Sequence, residues 1–311
     1  MKHVVCFSGG HSSALVAIEV VRRYGPESVT LLNHNINSSV EDADIKRFKV
    51  EVAAHLGLPV TQANYMGLAE PPDQFDIAMS DGAFANGRQI FCTSRLKTEP
   101  FREWLAKHAP PGTAVVYYGF DERERERIQR RSSIMGAMGY ETAFPLAHWP
   151  RTIRSTDEIG VRPPLTYGVW KHANCVGCIK GRRQHWYAVY IHRQDVWQKA
   201  KLAEEEIGHS IQADQITLTE LEPTFRAMRD VGVEATERIA SQRFWVDAKR
   251  LVKRTEDAQR VASCGVLDNA AKPCECTESA IDDAHSLAQP PRWRAGWWVK
   301  SAAYRSRLSR L

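Results

Sequence analysis

Short apolar runs of strand type alternate with longer segments of helical period through the first half of the chain, and this alternation most constrains the fold. Residues 4–7, 29–32, 59–64, 114–118 and 142–146 read as strands. Between them, residues 12–24 carry Leu15, Ile18 and Val21 at helical spacing, and residues 41–56 open with acids suited to a helix N-terminus. Residues 95–108 turn Phe101, Trp104 and Leu105 inward, and residues 124–138 form a further helix. Strands separated by helices of this length imply right-handed crossovers and an α/β fold with a parallel sheet flanked by helices. Ligands of such sheets bind beyond the carboxyl ends of the strands. The loop after Phe7, the segment Asn33-His34-Asn35 and the segment Gly119-Phe120-Asp121 fall there.

The first of these loops is Ser8-Gly9-Gly10-His11-Ser12-Ser13. Two glycines let a backbone turn tightly and approach an anion. The helix that follows presents unpaired N–H groups and the positive end of its dipole. Ser8, Ser12 and Ser13 add hydroxyls, and His11 adds a charge when protonated. The pattern suits a phosphate cradle; the plainer alternative is a serine-capped turn from strand to helix.

Further residues favour the cradle. The loop resembles the Ser-Gly-Gly-x-Asp-Ser signature of the PP-loop superfamily. Cys92-Thr93-Ser94-Arg95-Leu96-Lys97-Thr98-Glu99-Pro100 resembles the Cys-(Cys)-x-x-x-Lys-x-x-Pro segment of the phosphoadenosine phosphosulfate (PAPS) reductase family. Gly119-Phe120-Asp121-Glu122-Arg123 falls where that family carries Gly-x-Arg-x-x-Glu. Pro163-Pro164, Tyr167, Trp170 and His172-Ala173-Asn174-Cys175-Val176-Gly177-Cys178 are similar to its later cysteine segment. The resemblance covers residues 3–190 and leaves the rest of the chain uncovered.

The resemblance implies a five-stranded parallel sheet of adenine nucleotide alpha-hydrolase type. It implies ATP, PAPS or adenosine phosphosulfate (APS) as the bound nucleotide, with magnesium as a companion of ATP. The implied activity is sulfonucleotide reduction or ATP-dependent sulfur transfer, with tRNA or DNA among the acceptors. A sulfur donor or thioredoxin-like reductant would then be a partner. Residues 8–13, Asn33, His34, Asn35, Gly119 and Asp121 would hold the nucleotide, Lys97 and Arg123 would offset its charge, and Cys92 would take part in the chemistry. Two departures bear on this. Ser12 stands where the superfamily has aspartate, which removes a carboxylate from beside the phosphates. The reductases' C-terminal Glu-Cys-Gly nucleophile has no close match in Ser263-Cys264-Gly265 or Glu275-Cys276-Thr277. A nucleotide- or nucleic-acid-binding module without turnover is therefore one alternative, and a ligating enzyme with structural zinc is another.

Seven cysteines, an odd number in a chain of 311 residues, speak against a disulfide framework. Cys175 and Cys178 have the Cys-x-x-Cys spacing that lets two thiolates grip one metal or cluster, with Cys92 as third donor. Three thiolates with an open position suit a [4Fe–4S] cluster. Zinc, with His172 as fourth ligand, and a thiol pair without metal are the alternatives. Thr93 stands where four-cysteine reductases carry the second of a tandem pair. Cys6 is expected in the core.

The net charge of +5 permits an anionic partner without requiring one. Lys180, Arg182, Arg183 and His185, with Trp186 and Tyr187, have the composition of a basic-aromatic nucleic-acid patch, the alternative being aromatic core. Residues 121–131 alternate acid and base, as a solvated helix does; Asp121, Glu122 and Arg123 at its start are the site candidates, with Arg127 behind them. No apolar run approaches the ~18–20 residues that span a bilayer, and no signal-peptide stretch opens the chain, so a cytoplasmic location is expected. Three regions are expected: a nucleotide-binding α/β domain over 1–150, the cysteine pair and a helix over 151–215, and a helical part over 216–311. The last includes a polar stretch at 263–291 and a tail with Trp293, Trp297 and Trp298 among arginines.

Overall fold

A computed structural model describes residues 1–266 except Arg88 and Asn174, with backbone alone for 258–266. Cys274, Cys276, Trp293, Trp297 and Trp298 lie outside the described residues, as does the side chain of Cys264. The chain divides into two units, Met1–Lys249 and Arg250–Leu311.

In the first unit, strand β1 (Lys2–Cys6) leads to helix α1 (His11–Tyr24), β2 (Val29–Asn33), α2 (Ala43–His55) and β3 (Val60–Gln62). Helix α3 (Gln74–Asp81) and a small hairpin, β4 (Ala85–Asn86) and β5 (Gln89–Ile90), follow. A short helix α4 (Phe91–Thr93) then passes through a π-helical turn (Ser94–Thr98) into α5 (Glu99–His108). Strand β6 (Ala114–Tyr117), α6 (Arg125–Ala137), β7 (Glu141–Ala143) and α7 (Pro145–His148) complete the α/β part.

Five strands form one parallel sheet in the order β3-β2-β1-β6-β7. Central strands covered on both faces must be apolar on both sides. Val4, Val5, Leu31 and Val116 are accordingly fully buried. One face packs Val5, Phe7, Leu31 and Tyr117 against Leu15, Ile18, Phe48 and Val52 of α1 and α2. The other packs Val4, Leu32, Val116 and Tyr118 against Phe101, Leu105 and Met135 of α5 and α6. The chain runs outward from β1 to β3, then returns to the other side of β1. The order therefore reverses between β1 and β6, and a crevice opens there beyond their carboxyl ends. That crevice receives the loop of residues 8–13.

The helical remainder contains α8 (Arg183–His192), α9 (Gln194–Ile207), α10 (Leu218–Asp230) and the start of α11 (Ser241–Val266). The helix expected within residues 151–215 is two, broken at Arg193, whose guanidinium bonds Asp195 and the Ser39 carbonyl. Trp186, Tyr187, Trp197, Phe225 and Phe244 fill this core. Tyr187 meets Phe225 edge-on at 5.4 Å, and Trp197 lies 5.7 Å from the same ring. Trp186 and Tyr187 are thus core residues and offer no stacking face to nucleic acid. No described helix is long and apolar enough to cross a membrane.

Candidate functional site

The 8–13 loop is shaped by its glycines. Gly9 has φ +83°, and a Cβ there would stand 2.9 Å from Ile45 Cγ2 and from Lys49 Cγ and Cδ. Helix α2 therefore presses directly on the turn. Gly10 is the N-cap of α1 and provides no side-chain cap, and the first turn of α1 holds no acid. From the other side of the crevice, a Cβ on Gly119 would lie 3.1 Å from the Ser13 nitrogen. The ends of β1 and β6 thus meet at the helix N-terminus, where backbone N–H groups gather. Ser13 Oγ donates to the Gly10 carbonyl at 2.8 Å, and Ser8 Oγ donates to Ser13 Oγ at 3.3 Å, while Ser8 and Ser12 are exposed.

His11 does not bring a cation to this loop. Its Nε2 accepts the Thr156 N–H at 3.2 Å, which requires that nitrogen to be unprotonated, and burial pushes its pKa below the ordinary value. Its backbone N–H donates to the Tyr167 hydroxyl at 2.9 Å. Tyr167, in a short turn (Leu165–Gly168), thereby covers the first N–H of α1.

At the end of β2, Asn33 Nδ2 donates to the Phe7 carbonyl at 2.6 Å and clamps the two strand ends together. Its Oδ1 is buried without a partner among the described residues. His34 Nδ1 bonds the Ala63 carbonyl at 2.6 Å, an acceptor that places the proton on Nδ1; burial pushes this pKa down as well. Asn35 donates its side-chain amide to the Ala69 carbonyl and its backbone N–H to Asn64. Asp121 accepts the Arg123 N–H at 2.8 Å and serves as a helix cap. Glu122, Arg123 and Arg127 are exposed, and Arg127 lies 4.2 Å over the Phe120 ring. The structure does not bring Arg123 into the cysteine cluster described next.

Cys92 and the Cys175–Cys178 pair, far apart in sequence, stand within electrostatic reach of Lys97, which lies in the π-helical turn. Burial alone would lower its pKa, but Cys175, Cys178, Cys92 and Glu41 act on the ammonium together and the net shift is upward. Lys97, expected at a phosphate, thus stands within electrostatic reach of the thiols and of Glu41. Cys178 is pulled down to about 5, chiefly by the Cys175 thiol that donates to it, against the penalty of burial; the Lys180 backbone N–H and Lys97 add to the effect. Cys175 is correspondingly pushed well up, and burial raises Cys92. The Cys175–Cys178 hydrogen bond thus lowers one thiol of the pair and raises the other. His185 Nε2 accepts the Cys178 N–H at 3.1 Å, and its Nδ1–H faces Glu237 Oε1 at 3.0 Å. Among the described residues no group of three or more His, Cys, Asp or Glu is arranged around a metal-ion position.

The cysteine loop is locked in place. Gly177 has φ +72°, and a Cβ there would stand 2.5 Å from Val196 Cγ1. Gln74 Nε2 donates to the Val176 and Gly177 carbonyls at 2.8 and 3.2 Å. The Val176 N–H donates to the Val40 carbonyl at 2.7 Å. The next residue, Glu41, is 5% exposed and accepts Lys49 Nζ on both oxygens, at 2.9 and 3.0 Å. The segment before α2 thus touches the cysteine loop through Val40 and the phosphate-type loop through Glu41 and Lys49. Sequence reasoning missed Glu41, Lys49 and Glu237. Their signal was weak, because a charged residue near a helix start reads as solvated surface.

A cavity of about 240 Å³ opens on the cysteines, lined by Trp170, Lys171, Lys180, Arg182, His185 and Glu237 among others. His172 also lines it. Arg183 instead pairs with Asp214.

No family model, curated protein or solved structure matches the chain. The class supported at this point is a parallel α/β fold with a glycine loop at its topological switch and a three-cysteine cluster nearby in the same unit.

The neutral histidines give a pH prediction. His3, His11 and His34 all have pKa values below the ordinary 6.5. The unfolded chain binds those protons more readily, so stability is full above pH ~6.5 and falls as pH drops through the lowered values. Thermal unfolding at pH 5.5 is expected several degrees below that at pH 7.5. An unchanged midpoint would contradict the neutral assignments.

Proposed function

We propose that the chain is an adenine-nucleotide enzyme of sulfur chemistry, PAPS reductase-like in kind. The 8–13 loop holds the nucleotide's anionic group on helix N–H groups and serine hydroxyls. Cys92, Cys175 and Cys178 supply the sulfur-handling side. The observation that carries this reading is the physical link between the two. Val40 and Glu41 tie the cysteine loop to Lys49 behind Gly9. A loop that merely joined strand to helix would not explain a buried cation, three thiols and a shared strap.

Soft thiol donors in a group of three suit an iron–sulfur cluster rather than a hard cation. Cys92, Cys175 and Cys178 are the residues that would hold it, and it would supply an iron position at which sulfur binds, but as described they are not gathered around a metal-ion position. Zinc is the alternative occupant. Metal analysis after oxygen-free purification is expected to find iron with acid-labile sulfide. Zinc without iron would instead favour a structural role for the cysteines.

Two activities follow from one cradle. With PAPS or APS, a thiol reductant supplies two electrons and sulfite leaves. With ATP, sulfur passes to an activated acceptor. The cationic walls of the cavity, Lys171, Lys180 and Arg182, favour an anionic acceptor such as tRNA or DNA in the second case. Assays of sulfite release from PAPS and APS, and of pyrophosphate release from ATP with and without nucleic acid, separate them. Absence of both products, with nucleotide bound, would leave a binding module.

A further inference from the structure

The start of α1 offers a ligand the N–H groups that no helical carbonyl takes. The Ala14 N–H is the first to close onto the helix, on the Gly10 carbonyl at 3.1 Å, which leaves those of His11, Ser12 and Ser13. The His11 N–H is held by the Tyr167 hydroxyl at 2.9 Å. That hydroxyl would stand 3.4 Å from a Cβ on Gly10, and Ala173 Cβ would stand 3.6 Å from the same atom. Residues 167–173 therefore arch over the turn at Gly10, with Tyr167 and Ala173 as the two feet.

The span of the arch is a wall of the cysteine cavity. Trp170, Lys171 and His172 line that cavity beside Cys175 and Cys178. Glu237 fixes the span from outside. Its backbone N–H donates to the Val169 carbonyl at 2.8 Å, and its Oε2 accepts the Lys171 N–H at 3.3 Å. Its Oε1 accepts His185 Nδ1–H at 3.0 Å, and His185 Nε2 accepts the Cys178 N–H at 3.1 Å. The Trp170 ring lies 5.1 Å from the His185 ring. Direct contacts thus lead from the first N–H of α1 through residues 167–171, Glu237 and His185 to the backbone of Cys178.

Tyr167 is the link in this series that has two states. Its neutral oxygen either accepts the His11 N–H or turns to water, since the residue is only half-buried. An anionic oxygen is the stronger acceptor, its hydrogen bonds being roughly twice as strong as neutral ones. An anion on the loop therefore wins the N–H, and the arch loses its hydrogen bond to α1.

We infer that Tyr167 is a displaceable cap on the glycine loop, and that an anion arriving at residues 8–13 releases it from His11 and so shifts the arch that walls the cysteine cavity. This rests on the reading that the loop holds the anionic group of a nucleotide. In the empty loop the phenol satisfies the helix N–H and holds the arch down. In the filled loop one foot of the arch is free, and the cavity changes shape before any sulfur chemistry starts. Tyr167 is a positioning residue, acting on the cysteines through the arch. By linkage, whatever fills the cavity and favours the released arch raises nucleotide affinity by the same factor.

Tyr167→Phe keeps the ring and removes the hydroxyl. Calorimetric titration of the oxygen-free full chain and of this variant with APS, PAPS and ATP, followed by hydrogen exchange with and without the nucleotide that binds, tests the inference. The variant is expected to bind that nucleotide about three- to tenfold more tightly, because no phenol has to be displaced. In the unchanged protein, nucleotide is expected to quicken exchange over residues 165–172 by about threefold or more while slowing it over 11–14. In the variant, residues 165–172 are expected to exchange fast without nucleotide and not to respond to it. A tyrosine that only supported the fold would leave affinity unchanged and the segment unresponsive in both proteins. Weaker or equal binding by Tyr167→Phe, or exchange over 165–172 that slows or stays constant in the unchanged protein, would overturn the inference and leave the nucleotide site standing. No binding of any of the three to either protein would overturn both.

Discussion

Replacing Gly9 by alanine is expected to abolish nucleotide binding and to destabilise the protein. Gly9 has φ +83°, a region that residues with a Cβ enter at a cost of about 1–3 kcal/mol. The added methyl would also stand 2.9 Å from Ile45 Cγ2 and the Lys49 stem, well inside contact distance. Lys49 is fixed at its tip by two bonds to Glu41, so its stem yields less readily than a free lysine would. The strain relaxes by moving the loop away from α2, which displaces the N–H groups that form the cradle. Denaturant unfolding is expected to show a loss of about 1–3 kcal/mol, and titration no binding at concentrations that saturate the unchanged protein. Full affinity in Gly9→Ala would show that this turn does not shape the site.

Removing the Cys178 thiol is expected to end sulfur chemistry while leaving nucleotide binding intact. Cys178 is drawn down to about 5, chiefly by the Cys175 thiol, with the Lys180 N–H and Lys97 assisting. Cys92 and Cys175 shift the other way and stay protonated. The thiolate is the nucleophile and the metal ligand, so loss of this residue removes the reactive form. Alkylation of the metal-free protein should modify Cys178 first, at a rate nearly flat from pH 8 to 6 that falls as pH drops through about 5. Cys178→Ala should retain the wild-type nucleotide affinity and lose sulfite or thiolated product by a factor of about 10³ or more. Faster alkylation at Cys92 than at Cys178, or an active Cys178→Ala, would reverse the assignment.

The sheet was legible because its strands are buried on both faces. Runs such as Val4-Val5 and Leu31-Leu32 stay apolar without alternation, and helices with one apolar face separate them. The glycine loop was legible for a related reason, since Gly9 meets a steric demand that no other residue satisfies. What failed were features decided by partners distant in sequence. The apolar period runs unbroken from α8 into α9, and nothing local marks the break at Arg193, which Asp195 and the Ser39 carbonyl hold. Trp186 and Tyr187 follow basic residues and look like a surface patch, yet both are fully buried, Tyr187 against Phe225 and Phe244 and Trp186 against Phe75 and Trp197. Glu41 read as a helix-opening acid. Asp42 is the cap, and Glu41 turns inward to Lys49. His11 read as a charge source, and a backbone N–H from Thr156 makes it an acceptor. Lys97 was found as a candidate, but the cysteine loop within electrostatic reach of it lies far along the chain.

The central claim is that the crevice between β1 and β6 holds an adenine nucleotide on residues 8–13. Titration of the oxygen-free protein with APS, PAPS and ATP, beside the Gly9→Ala variant, tests it most directly. The account predicts saturable binding of at least one of these nucleotides at one site, lost in Gly9→Ala. No saturable binding of any of the three, or binding that survives the substitution unchanged, would contradict it.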